Sequence, residues 1–154
     1  GGDPGVDPST ASALLVVRGW TPTIDPRPVT PSGTAELTAW LCTVDDVGRP
    51  HAVPVWYVWT GGDILLFAAP TTRKVRNLRT TPHCLLHLPS GDPGRVVIIH
   101  GQAELLDQQT SKVAPATYWT RYAELMSLGG WTREGIEREH TQAIRIRPER
   151  ILHW

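Results

Sequence analysis

The sequence predicts a mainly β fold, a small antiparallel β-barrel with a few helices on its outside, and three observations lead there. From Leu37 onward, short apolar segments rich in Val, Ile, Leu and Trp recur roughly every 8 to 12 residues with turn chemistry between them, as in barrels and sandwiches. Between Gln108 and Arg138 the pattern changes to helical spacing, with Tyr118, Tyr122, Leu125 and Met126 ahead of a Gly-Gly break. The tail "TQAIRIRPERILHW" then alternates again, so a last strand closes or caps the barrel. At 154 residues the chain is expected to hold one core.

Residues 1–33 carry six Pro and five Gly and a single short apolar run, Leu14 to Val17, which predicts an irregular arm ahead of a barrel domain over 34–154. The first strand runs from Leu37 to Val44 and ends in the turn "DDVGRP". A second from His51 to Thr60 meets a third from Asp63 to Ala69 across "TGGD", where Gly61 and Gly62 supply the positive φ of a tight hairpin, so these two strands should pair directly. A basic helix follows, then His83 to Leu88, the turn "SGDPG", and Arg95 to Leu106. Two short helices are expected over 108–138, and Pro148 marks a bend or an edge in the closing strand.

The basic helix lies in "PTTRKVRNLRTTP". With Thr72 as N-cap, Arg73 and Lys74 fall in the first turn, where the helix dipole is already positive and backbone N–H groups lack partners. Cations there cost stability unless an anion joins them. A phosphate monoester suits such a nest, accepting from backbone donors, an Arg fork and a Lys ammonium. The plain alternative is a solvated basic helix.

Composition removes other classes. Formal net charge is zero, from 15 basic and 15 acidic side chains, and no aromatic residues interleave the cations, so nucleic acid is not an expected partner. No apolar run approaches the roughly 20 residues that span a bilayer, and the N-terminus lacks an apolar signal core, so a cytoplasmic protein is expected. Cys42 and Cys84 sit in apolar runs and read as small hydrophobes. His83 and His87 would share a strand face about 13 Å apart, too far for one metal ion. No Ser-His-Asp order, Walker loop or G-x-G-x-x-G occurs. Among the aromatic residues, Trp40, Trp56 and Trp59 fall on strands, as core or interface.

The stretch "DDVGRPHAVPVWYVWTGGDILLFAAPTTRKVRNLRTTPHCLLHL", with "RVVIIHGQAELL" and "IRIRPERILHW", resembles the split-barrel flavoproteins related to pyridoxamine phosphate oxidase. The forms "KVRNLRTTP" and "IRIRPERILHW" are most similar to the branch that includes deazaflavin-dependent reductases. The resemblance implies a split antiparallel β-barrel holding FMN or a deazaflavin (coenzyme F-420) between the subunits of a homodimer. It implies that Arg73 and Lys74, in the nest begun by Thr72, take the phosphate with help from Asn77. His51, Val53, Pro54 and Val55, with Phe67, Ala68 and Ala69, would lie along the ring and ribityl chain. Trp154 would cover the partner's cofactor, and His100 would stand near the ring as a structural residue. The implied activity is hydride transfer between the cofactor and a small unsaturated or quinone-like substrate; a non-catalytic carrier and a haem-binding relative are the alternatives. Val47 departs from the Asp or Gly that many relatives carry in their first turn, and nothing resembles the pyridoxal-phosphate contacts of the true oxidase.

Overall fold

The computed structural model describes residues 37–88 and 96–153; the expected arm, the "SGDPG" turn and Trp154 lie outside the described residues. Seven strands form one sheet: β1 (Thr38–Val44), β2 (Pro50–Trp56), β3 (Val58–Thr60), β4 (Asp63–Ala68), β5 (His83–Leu88), β6 (Val97–Gln109) and β7 (Gln142–His153). Their order is β2-β1-β5-β6-β7-β4-β3, and every neighbouring pair is antiparallel. The two edge strands, β2 and β3, are consecutive in the chain and separated by Tyr57 alone. The sheet is therefore open, with its edges joined by one residue: a split barrel.

The second expected strand is thus two. Residues 50–56 pair with β1, and only 58–60 pair with β4 across the Gly61-Gly62 turn, where φ is +61° and +114°. The physical reason is visible in the burial pattern. Val55 is buried and Trp56 half-buried, but Tyr57 and Val58 are buried in succession, so the alternation slips by one residue where the chain crosses between edges.

That crossing leaves the Tyr57 N–H and C=O outside any ladder, and a single phenol stands within hydrogen-bond distance of both. The Tyr122 hydroxyl accepts from the Tyr57 N–H at 2.7 Å and lies 3.0 Å from the Tyr57 carbonyl and 2.8 Å from that of Leu37, to either of which it donates. Burial raises the Tyr122 pKa, which keeps the donating proton in place. The Arg121 guanidinium covers the Tyr57 ring at 4.8 Å and its Nε–H reaches the Tyr122 oxygen at 3.3 Å.

Tyr122 belongs to α3 (Ala116–Gly129), which stands between α2 (Thr110–Val113) and α4 (Arg133–Glu139); α1 is the basic helix, Arg73–Thr80. The region expected to hold two helices holds three, because Pro115 interrupts the first one after a single turn. The Gly-Gly break does end α3: Gly130 takes φ +69° and its N–H bonds back to the last turn. Thr132 then caps α4, its Oγ1 accepting from the Gly135 N–H at 3.1 Å.

β4 is buried on both faces. Ile64, Leu66 and Ala68 point into the barrel with Leu41, Leu86, Ile99 and Ile146, while Leu65 and Phe67 point out against Tyr118, Tyr122 and Ile136 of the helices. Pro148 sits where the β6–β7 register slips: His100 pairs with Arg150, but Gly101 pairs with Pro148. A Cβ at Gly101 would stand 2.7 Å from the Arg147 carbonyl oxygen, so a side chain there would force the strands apart. Cys42, half-buried, and Cys84, buried, are free thiols. His83 and His87 are exposed on β5, and Trp59 packs against the barrel core.

Candidate functional site

The chain leaves β4, turns at Ala69 and Pro70, and enters α1. The Ala69 carbonyl accepts twice, from the Thr72 N–H at 3.1 Å and from the Thr72 hydroxyl at 2.8 Å. Thr72 stands at the N-cap as expected, but its hydroxyl is used in that turn and makes no cap bond to the helix. The first turn of α1 has no acidic residue either. Val75 and Leu78 bury the helix against the barrel, and the extended Thr81 before Pro82 ends it.

A cleft of about 590 Å³ opens over this turn, within the range of small-molecule sites. On one side it is lined by Pro54 and Val55 of β2 and by Phe67, Ala68, Ala69, Thr72 and Lys74. Lys74 is half-buried there, and burial lowers its pKa from the ordinary lysine value. The other expected residues stand elsewhere. Arg73 is exposed on the same first turn and does not line the cleft. Asn77 is buried, its Nδ2 donating to Thr43 Oγ1 at 3.0 Å, which ties α1 to β1. His51 and Val53 occupy the inward face of β2 away from the lining; Nδ1 of His51 is buried and has no hydrogen-bond partner among the described residues. His100 is half-buried on β6, opposite Leu85 and Arg150.

The opposite side comes from residues that the sequence reading did not single out as site residues. Trp56, Tyr118, Trp131, Arg138, Glu139 and His140 line it. Trp56 stacks on Tyr122 at 4.5 Å and meets Trp131 edge-on at 5.6 Å; Phe67 and Tyr118 pack as a T at 4.8 Å. The far end is polar. Burial lowers the His140 pKa, with Glu139 opposing and Lys74 adding to the shift, so Lys74 and His140 are electrostatic neighbours. One signal was available in the sequence: "GGWTREGIEREH" joins a helix break to a Trp and a short charged helix.

An aromatic and apolar cleft with a partly desolvated ammonium at an uncapped helix start suits a planar ring carrying an anionic tail. Comparison with known proteins matches most of the chain. A sequence profile of the pyridoxamine 5'-phosphate oxidase family matches residues 33–154. No curated protein sequence matches the chain. Among solved structures, an F420 reductase is similar with a TM-score of 0.63 at 21% identity, over 76% of this chain and 90% of that one. A FAD-binding protein from Mesorhizobium loti is similar with a TM-score of 0.58 at 21% identity, over 78% and 86%. The heme storage protein HutZ from Vibrio cholerae is similar with a TM-score of 0.55 at 17% identity, over 76% and 85%.

Proposed function

The chain belongs to the pyridoxamine 5'-phosphate oxidase family, and on that premise we propose that it is an oxidoreductase using FMN or a deazaflavin (coenzyme F-420) held in the cleft, with a small unsaturated or quinone-like substrate. The observation that carries this reading is the junction of Lys74 and the first turn of α1 with a wall of Val55, Phe67 and Ala68. A bound flavin or deazaflavin supplies the hydride chemistry; the protein supplies position, dryness and charge. Lys74 and the free first-turn N–H groups bind the phosphate, and Arg73, exposed on the same turn, adds screened attraction. Phe67, Tyr118 and Trp56 would exclude water from a planar ring bound in the cleft.

The same proposal includes a second copy of the chain beside the cleft. Trp40 is 49% exposed on the outer face of β1, flanked directly across the ladders by Pro54 and His87, and the row continues through Ile98 and Leu152. Pro54 belongs to both the row and the cleft, so a partner seated on the row borders the cofactor. Sedimentation of wild type against Trp40→Asp tests this: a dimer that becomes a monomer is expected, and a monomeric wild type overturns it.

For the cofactor, absorption spectra of the purified protein are titrated with FMN, the deazaflavin and haem. Saturable uptake of one of the first two, weakened about thirtyfold in Lys74→Ala, is expected. Unchanged affinity in that variant, or uptake of haem alone, overturns the reading. Turnover of a quinone by the loaded protein separates an enzyme from a carrier.

A further inference from the structure

Trp131 is 54% exposed, and of the exposed large apolar side chains among the described residues it alone lines the cleft. Its position is preset. The backbone is held by the αL turn at Gly130 and by the Trp131 N–H, which donates to the Met126 carbonyl at 2.8 Å. The indole lies over the Gly129 backbone so closely that a Cβ at Gly129 would stand 2.6 Å from Cε3 and Cζ3. Its edge-on contact with Trp56 is supported from behind, because Trp56 stacks on Tyr122 with its plane tilted by only 3°. Holding a large aromatic ring rigidly in water forgoes the burial that normally places tryptophan. A flat partner on the exposed face restores that burial.

We propose that Trp131 is the stacking platform for the second ligand of the cleft, a planar conjugated acceptor of the quinone class, and so a specificity-determining residue. This rests on the oxidoreductase reading of the cleft and assigns the acceptor to the α3–α4 side, while the anionic tail belongs to Lys74. Stacking on an indole is tolerant of substituents but demands flatness, so the site selects planar rings over saturated ones of equal hydrophobicity.

Menadione is the probe, titrated by calorimetry into wild type, Trp131→Phe, Trp131→Ala, Gly129→Ala and Leu128→Ala, each with and without FMN. Trp131→Ala is expected to weaken menadione about tenfold, Trp131→Phe by less than about threefold. Gly129→Ala keeps the indole but displaces it, and is expected to weaken menadione with FMN affinity unchanged. Leu128, exposed on the same turn and not part of the lining, is expected to have no effect as alanine. Equal menadione affinity in wild type and Trp131→Ala overturns the proposal, as does an equal loss in Leu128→Ala or no binding by wild type. If wild type binds menadione but neither FMN nor the deazaflavin, the cofactor reading fails by itself, and Trp131 is judged on the cofactor-free titrations by the same criteria.

Discussion

The two sides of the cleft are built differently. Phe67, Ala68, Ala69, Thr72 and Lys74 come from one continuous stretch in which strand, turn and helix follow each other without interruption. The facing side is assembled from distant pieces: Trp56 precedes the seam between β2 and β3, and Tyr118, Trp131 and His140 come from the helical region near the end of the chain. What holds the second side in place is the Tyr122 phenol, bonded to backbone groups of Tyr57 and Leu37, 65 and 85 residues away. A contiguous wall is set by turn geometry and binds charge; a remote wall is set by a buried latch and offers shape. Perturbing one should leave the other largely intact.

The largest effect is expected at the latch. Tyr122→Phe leaves the Tyr57 N–H and one carbonyl, that of Leu37 or of Tyr57, unpaired in a buried seam, at a cost of about 2–4 kcal/mol in the cofactor-free chain. Chemical denaturation measures this, and a loss below about 0.5 kcal/mol would mean that the seam does not depend on the phenol. On the contiguous side, Lys74→Ala should cost about 2 kcal/mol of FMN affinity with little change in denaturation midpoint, while Arg73→Ala costs about 0.5 kcal/mol because its exposed charge is screened. Equal losses from the two would erase the distinction between a lining cation and a surface one.

A smaller effect belongs to the turn that carries Trp131. Gly130→Ala meets no atom within 4 Å, so its cost is the backbone strain of φ +69°, about 1 kcal/mol in the same denaturation assay. A neutral result would show that the αL turn relaxes. The smallest is a pH effect joining the two sides. Because His140 titrates below 6.5 in the fold, mainly through burial, the unfolded chain takes up the proton first. Stability is then full above pH 6.5 and falls as the pH drops from there through the lowered folded value. His140→Asn should flatten that slope; an unchanged slope would place the titration elsewhere.

Much of the first side was legible because its information is local. The cations of α1, the cap position of Thr72 and the apolar run of β4 could all be read from neighbouring residues, and the structure puts Lys74 and Thr72 in the cleft lining. Burial within the helix was less legible: Asn77 reads as polar and near the nest, yet it is spent on Thr43. Helical spacing over 108–138 reads as two helices, and Pro115, which ends a helix on local grounds alone, makes them three.

Composition and periodicity alone determined an antiparallel barrel with outer helices, a helix that starts on Arg73 and Lys74, and turns at Gly61-Gly62 and Gly130. Only the tertiary structure decided that the strand over 51–60 is cut at Tyr57, that Arg73 stays in solvent while Lys74 enters the cleft, and that Trp131 meets Trp56 edge-on in the cleft's second side. The reason is physical. Backbone preference and amphipathic period act between near neighbours, whereas a seam, a latch and a second wall depend on which distant surfaces exclude water together.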